Sequence, residues 1–122
     1  MIEHKHLIIR ADIENPPLNT DVDDMTMWMH SLISKINMEL LIVPHTVYCN
    51  DIGNEGLTSI CAITTSSITL HTWNNPAILQ LDVYSCKDFD INIVFDHIRQ
   101  RFTTTAIRYK FLDRETDLTE LS

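Results

Sequence analysis

An α+β fold is predicted by three features of this 122-residue chain: a two-layer sandwich with one mostly antiparallel sheet and two helices on one of its faces. Two stretches repeat their apolar residues at three- and four-residue spacing, the pattern of a helix with one buried side. Six others are short, rich in Val, Ile, Thr and Leu, and bounded by turn residues, as strands are. The links between the later strands are too short to hold a crossover helix, so those neighbours run antiparallel. The expected order is β-α-β-β-β-β-α-β in a single domain over 1–122, a length that supports one two-layer core.

The first strand is expected over 4–13, and Pro16-Pro17 closes it because neither proline can donate to a ladder. Thr20, with Asp23 three positions on, resembles a capping box with Asp in place of Glu. A helix then runs to about Asn37, with Met25, Trp28, Met29, Leu32, Ile33 and Ile36 on its apolar face. That Met and Trp stripe reads as core rather than as a cofactor contact. A second strand, mildly broken at Pro44, is expected over 40–48. The loop 49–56 follows and holds both glycines of the chain. Strands over 57–65, 67–73 and 77–85 come next, the last two joined as a hairpin through Asn74-Asn75-Pro76. Asp88 or Asp90 caps the second helix, whose buried face is Ile91, Val94, Phe95, Ile98 and Phe102. Arg99 and Arg101 sit at its negative end. A closing strand is expected over 104–112, with a frayed tail over 113–122.

Composition narrows the function. An apolar content of 44% with two Gly and four Pro marks a globular chain rather than a disordered or collagenous one. The net charge of -8 argues against a nucleic-acid surface, which needs a basic stripe. No apolar run approaches the roughly 20 residues of a membrane span, and the start Met1-Ile2-Glu3-His4-Lys5 lacks the apolar core of a secretory leader. A cytoplasmic location without membrane attachment is therefore expected. Three cysteines without a Cys-x-x-Cys spacing fit reduced thiols, and the six scattered histidines form no zinc pattern, so no metal is expected.

Chemistry concentrates between Gly56 and Cys86. Two β-type segments meet at Thr64-Thr65-Ser66-Ser67, and the second carries His71-Thr72-Trp73. A serine in a tight junction can attack the carbonyl before it, converting the amide into an ester. Loss of the serine Cα proton eliminates the ester, and hydrolysis of the resulting dehydroalanine leaves a pyruvoyl group. The reaction needs a hydroxyl, a base and an oxyanion donor, roles open to Ser66 or Ser67, His71 and Thr58. A pyruvoyl carbonyl forms a Schiff base with an amino acid and serves as its electron sink, so the α-carboxylate can leave. The carbanion then needs a proton. A thiol with an ordinary pKa of ~8.5 is protonated at neutral pH, which makes Cys86 the candidate donor.

Gly56-x-Thr58, Ser66-x-Ile68-x-Leu70-His71-Thr72-Trp73 and Asp82-Val83-Tyr84-Ser85-Cys86 together resemble the core of prokaryotic S-adenosylmethionine decarboxylases. That family reads Gly-Val-(Ser/Thr)-Gly, then Glu-Ser-His-x-x-x-His-Thr-Trp-Pro-Glu, then Asp-x-Phe-x-Cys, and the spacings agree without a gap. The resemblance implies cleavage between Thr65 and Ser66, a pyruvoyl group derived from Ser66, self-processing by His71 and Thr58, and proton donation by Cys86. It also implies a homodimer with sites between subunits, a small-molecule substrate held near Ile52, Glu55, Trp73 and Asn75, and a part in spermidine synthesis. Three positions depart from the pattern. Thr65 replaces the Glu before the cleavage point, Ser67 the His after it, and Asn74-Asn75 the Pro-Glu after the Trp. The family Glu is thought to hold the ribose diol, and Asn75 offers one acceptor where a carboxylate offers several. Ile52 stands where an aromatic often stacks on adenine. A decarboxylase of another amino acid, or an uncleaved non-catalytic paralogue, are the alternatives these departures suggest.

One geometric expectation is separable from the family. Along an unbroken strand Ser66 shares a face with Ile68 and Leu70, whereas Ser67 shares one with Thr69, His71 and Trp73. Reaction of Ser66 with His71 as base therefore requires a kink that resets the alternation.

Overall fold

The structure, a computed structural model, describes residues 3–64 and 66–122. Strand β1 (Lys5–Glu14) leads through a short 3-10 turn (Asn19–Asp21) into helix α1 (Val22–Lys35). Strands β2 (Leu40–Cys49), β3 (Gly56–Ile63), β4 (Ser66–Asn74) and β5 (Ala77–Ser85) follow, then helix α2 (Ile91–Arg101) and strand β6 (Thr103–Asp113). They form one six-stranded sheet in the order β2-β3-β4-β5-β1-β6. Every neighbouring pair is antiparallel, so the expected sandwich stands and its sheet is wholly antiparallel.

Alternation decides which side chains are covered. Leu7, Ile9, Ala11 and Ile13 of β1, Leu57, Cys61 and Ile63 of β3, Ile68 and Leu70 of β4, and Leu79, Leu81 and Val83 of β5 are all buried. Against them lie Met25, Trp28, Met29, Leu32 and Ile33 of α1 and Val94, Phe95 and Ile98 of α2. Each fully buried side chain of this size contributes about 1.5–3 kcal/mol by leaving water, so this layer dominates the stability. The residues of opposite parity, among them Thr58, Ile60, Ser67, Thr69, His71, Trp73, Gln80 and Asp82, face away from the helices. Ile60, in this second face, remains 50% exposed. Pro44 lies where β2 loses register with β3, on an edge strand that tolerates a missing donor.

Helix ends differ in part from expectation. Asp90 caps α2, its carboxylate accepting from the Asn92 N–H at 2.9 Å. The expected Thr20–Asp23 box does not form. Thr20 lies inside the 3-10 turn, and Asp21 instead reaches back to accept from the Leu18 N–H at 2.7 Å. The tail is also better held than its polarity suggests. β6 continues to Asp113, Arg114 N–H donates to the His4 carbonyl at 2.8 Å, and Asp117 accepts from the Asp113 N–H at 2.7 Å. Contact between His4 and Glu115 adds a side-chain tie.

The two helices are joined by a buried polar contact that the periodicity does not reveal. His97 is 5% exposed and stacks on Trp28 with centroids 4.5 Å apart. Its Nε2–H donates to the Trp28 carbonyl at 2.9 Å, and Nδ1 accepts from Lys35 Nζ at 3.1 Å. Burial, with the Lys35 ammonium beside it, pushes this imidazole below its ordinary range, against the opposing pull of the Trp28 carbonyl. The ring is therefore neutral at pH 7.

Candidate functional site

The register of β3 against β4 sets Thr58 opposite His71 on the face away from the helices. Their side chains meet, with Thr58 Oγ1 2.9 Å from His71 Nδ1. Trp73, two residues on along the same face, has its ring centroid 5.8 Å from that of the imidazole. Thr58 and His71, two candidates singled out separately from the sequence, are thus brought into contact. This contact can hold the ring in one orientation and leave Nε2 for proton transfer.

The neighbouring chain is tightly built. Thr72 is 3% exposed, and its Oγ1 accepts from the Leu57 N–H at 3.1 Å. Gly56 packs so closely on β4 that a Cβ there would lie 1.8 Å from the Thr72 carbonyl oxygen. Asn74 N–H donates to the Glu55 carbonyl at 2.9 Å, and its side-chain amide donates to Tyr48 Oη at 2.7 Å. Ile52, Glu55, Trp73 and Asn75 therefore gather at one end of the sheet, where the β2–β3 loop meets the β4–β5 turn. The Glu55 carboxylate is engaged within its own loop, accepting from the Gly53 N–H at 2.6 Å. Ile52 is 99% exposed.

Ser66 and Cys86 meet at the other end. Ser66 opens β4, and its Oγ accepts from the Cys86 N–H at 3.1 Å. Cys86 is half-buried just beyond β5. It is presented by a turn in which the Ser85 hydroxyl donates to the Lys87 carbonyl at 2.7 Å and accepts from the Lys87 N–H at 3.0 Å. Ser66, Cys86, Glu39, Thr64 and Lys87 line a cleft of about 300 Å³. Its size suits part of a small molecule, and a serine and a cysteine are among the residues that line it.

The kink expected between Ser66 and His71 is absent from the described residues. Pairing of β4 is regular from Ser66, opposite Ile63, through His71, so Ser66 keeps the helix-side parity of Ile68 and Leu70. Five residues of extended chain at ~3.3 Å each separate Ser66 from His71 by roughly 17 Å. Ser67 shares the His71 face but is four residues away, about 13 Å by the same rise. Along this strand, neither serine reaches the imidazole. Thr65, the other side of the expected cleavage point, lies outside the described residues. Among the described residues no group of three or more His, Cys, Asp or Glu is placed to hold a metal, and no helix is long and apolar enough to cross a membrane.

The sequence reading missed Thr72, Tyr48, Glu39 and Lys87. For Thr72 a signal exists: it is in phase with Ile68 and Leu70, so its hydroxyl is buried and needs a partner. The other three come from distant segments and carry no comparable mark.

Comparison with known proteins agrees with this architecture. The family model described as S-adenosylmethionine decarboxylase matches residues 5–115. An S-adenosylmethionine decarboxylase proenzyme of Pyrobaculum arsenaticum is 34% identical over 62 residues, 50% of each chain. One from Picrophilus torridus is 27% identical over 66 residues, 53% of this chain and 51% of the relative. The chain thus matches about half the length of these curated relatives. The crystal structure of the adenosylmethionine decarboxylase from Aquifex aeolicus superposes with a TM-score of 0.72 over 99% of this chain and 97% of that one. At 17% identity that likeness speaks for the fold alone. With the family model spanning all six strands and both helices, and the fold shared end to end, the chain belongs to the S-adenosylmethionine decarboxylase family.

Proposed function

We propose that the chain is a self-processing, pyruvoyl-dependent decarboxylase of S-adenosylmethionine, with each site assembled from two copies. One copy supplies the Ser66–Cys86 end and the other supplies His71 and Thr58 with the loop carrying Ile52 and Glu55. The observation that carries this reading is the split itself. Both halves are built, with Ser66 on the Cys86 amide and Thr58 on His71, yet roughly 17 Å of strand holds them apart in one subunit. A twofold axis solves the problem, because it brings opposite ends of identical sheets together twice. The uncovered face, with Ile60 half exposed on β3, gives such a pairing apolar area to bury.

In this reading Ser66 Oγ attacks the carbonyl of residue 65. Because Oγ is the acceptor of the Cys86 N–H, its own proton stays available to a base. The partner's His71 takes that proton, with its ring held by Thr58 Oγ1. A pyruvoyl group formed from Ser66 would supply the electron sink for decarboxylation. Cys86, at the same cleft, would deliver a proton to the product. Trp73 and Asn75 would contact the nucleoside end of the substrate, and the product would serve spermidine synthesis.

A second reading is favoured by one observation. Ile52 is fully exposed and Asn75 lacks a carboxylate, so the nucleoside end has lost two contacts, as a changed amino-acid substrate or a non-catalytic paralogue would allow. Intact-mass spectrometry of purified protein, with Ser66→Ala as control, separates the cases. Fragments 1–65 and 66–122, the second with the pyruvoyl mass change, are expected for the enzyme. A single unbroken mass after long incubation would refute self-processing. Light scattering that shows only a 14.1 kDa species at micromolar concentration would refute the two-copy site.

A further inference from the structure

We propose that Thr72 is the positioning residue for the Thr58–His71 pair, an inference that rests on the reading of that pair given above. Regular backbone pairing between β3 and β4 runs from Ile63 opposite Ser66 to Thr58 opposite His71, and a backbone bond returns only at Asn74 N–H to the Glu55 carbonyl, 2.9 Å. At the next row the Leu57 N–H donates to a side chain, Thr72 Oγ1, at 3.1 Å. Leu57 is fully buried and Thr72 nearly so, which leaves this amide no water to turn to. The hydroxyl thus fills the gap between the regular ladder and the Asn74–Glu55 bond, directly beside the pair.

The same row explains why an adjustable acceptor is needed. Gly56 is pressed against the Thr72 carbonyl so closely that a Cβ would lie 1.8 Å from its oxygen. The start of β3 therefore comes in at a depth that regular pairing does not provide. The Thr72 side chain, reaching from the buried face, fixes that depth. Thr58 is the next residue of β3 and His71 the preceding residue of β4, so an error at this row passes straight to the 2.9 Å contact on the opposite face. Thr72 touches no reacting atom in this scheme. Its role is to hold Thr58 Oγ1 at His71 Nδ1 and so to fix the ring's orientation and tautomer.

Thr72→Val keeps the shape and removes the acceptor, whereas Thr72→Ser keeps the acceptor and removes the methyl. In the wild type, nitrogen-15 spectra are expected to show one dominant His71 tautomer and a Leu57 amide protected from hydrogen exchange. Thr72→Val should mix the tautomers, expose the Leu57 amide to exchange and slow self-cleavage on the order of 10- to 100-fold, the scale of a small misplacement of reacting groups. Thr72→Ser should restore the single tautomer and the protected amide. A valine variant with the wild-type tautomer and a protected Leu57 amide would overturn the proposal. So would a serine variant that loses both, or an unprotected Leu57 amide in the wild type, and these two outcomes decide the matter if the valine variant does not fold. Should no form of the chain cleave, the decarboxylase reading fails while the ring and amide measurements still judge Thr72.

Discussion

Gly56→Ala is the sharpest perturbation the structure offers, because it adds one methyl where there is no room. The new Cβ would lie 1.8 Å from the Thr72 carbonyl oxygen, 2.8 Å from its carbon and 3.1 Å from Trp73 Cα, all backbone atoms. An ordinary contact to oxygen needs about 3.3 Å or more, so the strands must part by about 1.5 Å. A rotamer change cannot absorb that, since no flexible side chain is involved. Separation at this row breaks the Leu57 N–H bond to Thr72 Oγ1 and strands a buried donor, at about 1–3 kcal/mol. Strain in the surrounding packing adds about 1–3 kcal/mol. The expected loss is therefore about 2–6 kcal/mol, a large share of the 5–15 kcal/mol that holds a domain of this size. Urea denaturation of the Ser66→Ala background, which keeps the chain whole in every sample, measures it. A midpoint that moves by less than the equivalent of about 1 kcal/mol would refute the reasoning.

The buried His97 predicts a pH dependence. Its folded pKa lies below the unfolded value of 6.5, so the unfolded chain binds the extra proton first. Stability from this group is complete above about pH 6.5 and declines as the pH falls below it, and His97→Gln should remove that component from thermal melts taken at stepped pH. Cys86→Ala should leave fragment formation intact and lower decarboxylation by a factor on the order of 10² to 10⁴, measured as released carbon dioxide; an unchanged rate would exclude Cys86 as the donor. Asn75→Glu should tighten S-adenosylmethionine binding by about 1–2 kcal/mol in calorimetry, the scale of a charge-assisted hydrogen bond. Sub-micromolar binding by the wild type would show instead that the nucleoside end needs no carboxylate.

Most of the architecture was legible because burial follows two simple periods. Ile68, Leu70, Leu79, Leu81 and Val83 alternate, and Met25, Met29, Leu32 and Ile33 recur at helical spacing, so strands and helices declare themselves. Where hydrogen bonds rather than burial set the outcome, the reading erred. Asp21 bonds backward instead of yielding to Thr20, and the polar tail is tied through the His4 carbonyl by register that no local pattern encodes. His97 escaped notice because a polar residue on a helix reads as solvent-facing unless its partners, here Trp28 and Lys35, are known. At the site, the sequence singled out Thr58 and His71 separately, and it is the register of β3 against β4 that sets them in one row. Ser66 and His71 were expected to meet only through a kink, and β4 pairs regularly across the five positions between them. In extended chain those positions span most of a strand's length and end on the wrong face.

The strand order has a consequence for what a cut at residue 65 would leave behind. Residues 1–65 contain β1, α1, β2 and β3, and residues 66–122 contain β4, β5, α2 and β6. In space these pieces are shuffled together: β2 and β3 from the first, β4 and β5 from the second, then β1 from the first again and β6 from the second. Three of the five ladders, β3 with β4, β1 with β5 and β1 with β6, join one piece to the other. The first strand is clasped on both sides by the second piece, like a finger between two others. Loss of one peptide bond therefore leaves the assembly knitted, and parting the pieces would require the whole sheet to come undone.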